Sequence, residues 1–141
     1  EQMEDEQGVI FVSMPSLLDA DLAPEGHLAI DWARRHSPLV DGFLRDRLRD
    51  GALKGRKVAV VVHLEAKTAF LATVLADAGA EVVVAGSNPH STRDEIAAAL
   101  VDREIQVHSV RDSGYEAWEK ENDQWDSQLQ NIFSFFSLQC I

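Results

Sequence analysis

The stretch Lys57–Gly86, KVAVVVHLEAKTAFLATVLADAGAEVVVAG, decides how this chain is expected to fold. It opens on KVAVVVH and closes on EVVVAG, two short runs rich in β-branched residues, which suit the pleated and buried surface of a strand. Between them TAFLATVLADAG carries apolar residues at helical spacing and stops at Gly79. Strand, helix and strand in that order read as a βαβ unit.

The pattern continues on both sides. A helix from about Ser91 to Val101 and a strand near Ile105 to Val110 make a further round. Strands alternating with helices imply a parallel sheet with right-handed crossovers, covered by its helices. Upstream, Leu28, Ile30, Trp32 and Ala33 predict a helix that Pro24 helps to start and that stops near Ser37-Pro38. A second helix from about Pro38 to Arg49 places Leu39, Val40, Phe43, Leu44 and Leu48 on one face, and Gly51 and Gly55 end it. The expected fold is α/β: a three-layer, Rossmann-like parallel sheet with a βαβαβ core, two N-terminal helices and a C-terminal amphipathic helix.

Three segments follow from this reading. Residues 1–21 form an acidic N-terminal arm in which VIFVSM makes an edge strand or packs as an arm. Residues 22–112 form the α/β domain. Residues 113–141 form a divergent amphipathic helix and tail, with Trp118, Trp125, Leu129, Ile132, Phe133 and Phe136 at 3-4-7 spacing. The tail ends in NIFSFFSLQCI, apolar enough to cover the sheet, to aggregate, or to meet another chain, which would make a homo-oligomer.

Composition narrows the partners. At 141 residues, one domain with a substantial core is expected. Thirteen Lys and Arg against 24 Asp and Glu give a net charge of −11, which repels nucleic-acid phosphates and anionic lipid headgroups. No apolar run reaches the ~18 residues that span a bilayer, and EQMEDEQ is acidic where a signal peptide is basic. The single cysteine, Cys140, allows neither an intramolecular disulfide nor a zinc site built on thiolates, which fits a reducing, cytoplasmic setting. The first residue is Glu1, as in a trimmed chain or an excised segment of something longer.

In an open α/β sheet, ligands sit outside the carboxyl ends of the strands, where loops converge and helix N-termini turn their free N–H groups outward. Two polar loops fall there. His63, Glu65, Lys67 and Thr68 follow the first strand, and SNPHSTRD, Ser87 to Asp94, follows the second. Side by side they outline a pocket for a polar small molecule. A purely structural reading stands beside this one. Ser91-Thr92-Arg93-Asp94 and Thr92-Arg93-Asp94-Glu95 both fit the capping box of a helix start, His63 fits a hydrogen-bonded strand end, and Glu65 and Lys67 fit a solvated first turn.

Several sharper motifs fail. His63-Leu64-Glu65 matches the H-x-E half of a zinc deaminase, but the P-C-x-x-C that chemistry needs does not occur. GALKGRK, Gly51 to Lys57, has the wrong spacing for a phosphate loop and precedes a strand instead of following one. Neither G-x-G-x-x-G nor G-x-S-x-G is present, so no dinucleotide fingerprint and no nucleophile elbow can be read. No catalytic and no metal-binding residue is assigned.

Two longer strings carry a family resemblance: DLAPEGHLAIDWARRHSPLV, and LKGRKVAVVVHLEAKTAFLATVLADAGAEVVVAGSNPHSTRDEIAAAL. In that order they resemble the N-terminal substrate-domain portion of S-adenosylhomocysteine hydrolase, with an archaeal-type pattern, over about Leu22 to Val110. The resemblance implies reversible cleavage of S-adenosylhomocysteine to adenosine and homocysteine in a homo-oligomer, with tightly bound NAD oxidising the ribose transiently. It implies that His63, Glu65, Lys67 and Thr68 occupy the first substrate-binding loop, and Asn88, Ser91, Thr92 and Asp94 the second. Their donors and acceptors suit a nucleoside such as adenosine, inosine or S-adenosylhomocysteine. Arg93 stands where the family usually has Gln, and His90 where it has an apolar residue. The segments that surround the ribose and the NAD domain are not in these 141 residues. The chain alone is therefore expected to hold no NAD, to be catalytically incomplete, and at most to bind the nucleoside. Two alternatives accompany this expectation: a non-enzymatic module that dimerises or docks a partner through its C-terminal helix, and one subunit of a split enzyme.

Overall fold

The computed structural model of the chain describes residues 2–4, 10–12, 19–49, 51–109 and 111. Two short strands come first, β1 (Gln2–Glu4) and β2 (Ile10–Val12), paired antiparallel with Met3 opposite Phe11. VIFVSM thus contributes a strand, paired within the arm and not with the main sheet. Helix α1 (Ala23–Arg35) follows, with Pro24 in its first turn, where a missing N–H costs nothing. A π-helical stretch, Leu39–Leu44, runs into a single α-helical turn, α2 (Arg45–Arg47). Then come β3 (Lys57–Val62), α3 (Ala66–Asp77), β4 (Glu81–Gly86), α4 (Asp94–Asp102) and β5 (Gln106–Val107).

The three later strands form one parallel sheet in the order β3-β4-β5, so the α/β, Rossmann-like class read from the sequence is the one observed. The register sets Val58 opposite Val82, Val60 opposite Val84, and Val84 opposite Val107. Val60, Val82, Val84 and Val107 share one buried cluster with Ile30 and Ala33 of α1, Phe70 and Val74 of α3, and Ile96 and Leu100 of α4, and Val58 packs against it. On β4 the alternate residues Val83 and Ala85 are buried as well, giving the continuous apolar strand expected at the centre of a parallel sheet.

The second predicted helix is realised differently. Its hydrogen bonding widens to the π pattern over Leu39–Leu44, so apolar residues chosen at α-helical spacing no longer share one face. Val40 and Leu48 pack against the core, while Leu39 and Phe43 are 77% and 64% exposed. Arg45 ties this stretch to the end of α3, donating to Asp41 and to Asp77 at 2.8 Å each. The predicted amphipathic helix at residues 113–141, and the self-association expected of it, lie outside the described residues.

Helix α1 meets α4 through Gly26, which is buried. A Cβ at this position would lie 2.7 Å from the Ala99 Cβ and closer still to the Glu95 carbonyl, neither of which can swing away. Gly26→Ala is therefore expected to push α1 off α4 and cost about 1–3 kcal/mol, seen as a lower urea midpoint at unchanged slope. Gly42→Ala is the control, since nothing lies within 4 Å of its would-be Cβ. Its midpoint should hold or rise, and equal midpoints for Gly26→Ala and the unsubstituted chain would contradict this packing.

Candidate functional site

Parallel pairing brings the two polar loops to one edge. Val62 is opposite Gly86, so β3 and β4 end level, and the Ser87 N–H donates to the Val62 carbonyl at 3.1 Å just beyond the last pair. At the end of β5 the His108 N–H donates to Val84 O at 2.8 Å. The first loop, His63–Glu65, enters α3; the second, Ser87–Arg93, enters α4 through a tight turn at Pro89–Ser91.

The loops are joined directly. The Arg93 N–H donates to the Leu64 carbonyl at 3.3 Å, and His63 Nδ1 lies 2.7 Å from Ser91 Oγ. Leu64, fully buried, anchors the first loop in the core. The Thr68 hydroxyl donates back to the His63 carbonyl at 2.8 Å. In the second loop Asn88 is the hub: its Oδ1 accepts the His90 N–H at 2.9 Å, and its carbonyl accepts the Ser91 hydroxyl at 2.9 Å and the Ser91 N–H at 3.1 Å. This is the local side-chain and backbone bonding by which Asn and Ser stabilise turns.

The eight residues picked out in the sequence thus divide by orientation. His63, Glu65 and Lys67 are exposed, and Glu65 and Lys67 have no side-chain partner among the described residues. Thr68, Asn88 and Ser91 are half-buried, tied to the loops themselves. Thr92 is buried, 2.7 Å from the Ser109 hydroxyl, and Asp94 accepts the Arg111 N–H at 2.7 Å. Helix α4 begins at Asp94 with Arg93 as its cap residue and no side-chain cap, so neither capping box forms. Instead the Ser91 and Thr92 hydroxyls bind the Asn88 carbonyl, His63 and Ser109.

Sequence reading missed two members of this edge, Ser109 and Gly86. A Cβ on Gly86 would lie 2.7 Å from Thr92 Oγ1 and nearer still to Ser109 Oγ, so the absent side chain is what lets these hydroxyls meet over the end of β4. The signal was positional: Ser109 follows β5 at the carboxyl edge that the other two loops share.

The side chains at this edge, imidazole, carboxylate, ammonium and hydroxyls, are hydrogen-bond donors and acceptors. Among the described residues no three His, Cys, Asp or Glu side chains gather to hold a metal ion, and no helix is long and apolar enough to cross a membrane. NAD does not fit the first crossover. A dinucleotide needs glycine there for its pyrophosphate to approach the backbone, and this turn is His63-Leu64-Glu65 with Leu64 packed into the core.

A parallel sheet whose crossover loops are bonded together at its carboxyl edge is the framework of an α/β domain for small polar ligands. The family model for S-adenosyl-L-homocysteine hydrolase matches residues 16–133, well over half of the chain and past the Val110 at which the motifs end. The chain belongs to the S-adenosyl-L-homocysteine hydrolase family. It is 39% identical over 115 residues to S-inosyl-L-homocysteine hydrolase of Methanococcus maripaludis, covering 81% of this chain and 28% of that protein. It is also 39% identical over 127 residues to S-inosyl-L-homocysteine hydrolase of Methanopyrus kandleri, covering 89% and 30%. With adenosylhomocysteinase of Thermococcus kodakarensis it shares 43% identity over 93 residues, covering 66% and 22%. The chain spans less than a third of the length of these relatives.

His108 closes the edge beside Val84. It is half-buried, and its Nδ1 is enclosed without a hydrogen-bond partner among the described residues. Burial pushes its pKa below the ordinary value of 6.5, because the charged imidazolium loses hydration. A folded-state value below the unfolded one means that the unfolded chain binds the proton first. The stability tied to neutral His108 is therefore complete above about pH 6.5 and lost as the pH falls below it. His108→Gln should flatten the fall in urea midpoint between about pH 7 and pH 5.5; the same fall in both chains would refute it.

Proposed function

We propose that this chain forms the nucleoside-binding part of a hydrolase acting on S-inosyl- or S-adenosyl-homocysteine, and that it binds the nucleoside without carrying out the hydrolysis alone. The observation that carries this reading is the joined pair of loops, which turns His63, Glu65 and Lys67 outward together at the carboxyl edge. Imidazole, carboxylate and ammonium offer acceptors and donors for the hydroxyls and ring groups of a nucleoside. Asn88, Ser91, Thr92, Thr68 and Asp94 then shape the wall beneath them. Redox chemistry at the ribose requires NAD, which the first crossover of the described residues does not cradle, so on this reading that chemistry falls to other parts of the family enzyme.

Lys67 supports a binding role. It sits in the first turn of α3, where the helix dipole is positive and a cation is disfavoured by about 0.3–1 kcal/mol. It makes no ion pair with a carboxylate among the described residues, although Glu65 precedes it at the helix cap. A residue that costs stability where it stands and faces solvent beside His63 is explained by what it contacts in a complex.

Calorimetry on the chain of residues 1–141 with inosine, adenosine and S-adenosylhomocysteine is expected to give binding in the range of about 0.1–1 mM. Lys67→Ala should weaken that binding several-fold while leaving the urea midpoint unchanged or slightly raised. The absence of heat with any of the three at millimolar concentration would overturn the reading.

A further inference from the structure

We propose that Ser91 is a positioning residue that fixes the tautomer of His63, so that the ring presents Nε2 to the ligand as a hydrogen-bond acceptor. The tautomer follows from hydrogen bonding within the chain; the ligand it meets rests on the nucleoside reading above. A serine hydroxyl carries one proton and two lone pairs, whereas a carbonyl oxygen only accepts. Ser91 Oγ lies 2.9 Å from the Asn88 carbonyl, so in that contact Ser91 donates. Its proton is then used. The 2.7 Å contact with His63 Nδ1 is left one direction, in which Nδ1–H donates to Oγ.

The Asn88 carbonyl has capacity for this arrangement. Its two lone pairs take the Ser91 N–H at 3.1 Å and the Ser91 hydroxyl at 2.9 Å. Thr92 Oγ1, at 3.3 Å, has a nearer partner in Ser109 Oγ at 2.7 Å. The reverse arrangement, with Ser91 donating to a bare Nδ1, leaves the 2.9 Å contact between two oxygens without a proton. Thr68 holds the other end of the residue through the His63 carbonyl, so backbone and ring are both fixed.

In a neutral imidazole one nitrogen donates and the other accepts. With Nδ1 protonated, Nε2 bears the lone pair, on an exposed residue and with no partner for it among the described residues. That lone pair selects a ligand group carrying O–H or N–H, such as a sugar hydroxyl, and disfavours a carbonyl or phosphate oxygen.

Long-range proton–nitrogen correlation spectra of the 15N-labelled chain, at about pH 8 where free imidazoles are neutral, read the tautomer directly. The His63 signals are identified by their loss in His63→Gln. The expected result is a protonated Nδ1 and a bare Nε2. Ser91→Ala should move the ring towards the opposite tautomer and weaken inosine binding about five- to tenfold, the effect of losing one well-placed hydrogen bond. Ser91→Thr, which keeps the hydroxyl, should restore both. A protonated Nε2 in the unsubstituted chain overturns the proposal, whether or not the variants fold, and so does an unchanged tautomer in folded Ser91→Ala. If the tautomers behave as stated and no nucleoside binds, the positioning role stands and the nucleoside reading alone falls.

Discussion

Because β3 and β4 run parallel with Val62 set opposite Gly86, the two chain segments that leave the sheet do so side by side and at the same level. Everything at the carboxyl edge depends on that register. It places Ser87 within reach of the Val62 carbonyl, brings Arg93 to the Leu64 carbonyl, and sets His63 against Ser91. A slip of one residue would turn every side chain of one strand to the other face; on β3 it would take Val60 out of the cluster it shares with Val82 and Val84. The apolar core therefore pays for the polar edge: burying Val60 against the valines of β4 favours this register, and the register aligns the loops.

Gly86 and Gly26 show how the same constraint reaches further. At Gly86 the missing side chain leaves room for Thr92 and Ser109 to meet above the end of the central strand. At Gly26 it lets α1 lie directly on the Glu95 carbonyl, in the first turn of the helix that the second loop starts. The second loop is thus held from below by the sheet and from behind by α1. A loop held in this way keeps its turn without a ligand, so less ordering is left to occur on binding.

Much of this was legible in the sequence, and the rest was hidden for identifiable reasons. The runs KVAVVV and EVVVAG became β3 and β4 because an apolar β-branched run bounded by polar residues and glycine has few other uses. Helix α1 was marked by Pro24 and ended where Ser37-Pro38 foretold. The π-helical stretch was not legible, since its hydrogen-bond pattern does not follow the helical spacing by which apolar residues are counted. The start of α4 was misread for a different reason. Ser91 and Thr92 fit a capping box by sequence alone, but partners distant in sequence, His63 and Ser109, compete for their hydroxyls, and the Asn88 carbonyl, a backbone atom, leaves no trace in a residue pattern.

The same comparison separates the residues that build the edge from those that can use it. Thr68, Asn88, Ser91, Thr92 and Asp94 direct their hydrogen bonds into the loops, and their residue types are explained by the fold. Glu65 and Lys67 make no such bonds among the described residues; Glu65 is the cap residue of α3 and Lys67 stands in its first turn. A carboxylate at a helix N-terminus is favoured by the dipole, but an ammonium is not, so stability accounts for Glu65 and leaves Lys67 over. His63 belongs to both groups, because one ring nitrogen is committed to Ser91 and the other is not. On the proposed reading the recognising surface is small: an ammonium with no structural use, a carboxylate beside it, and one imidazole nitrogen whose character is set from behind.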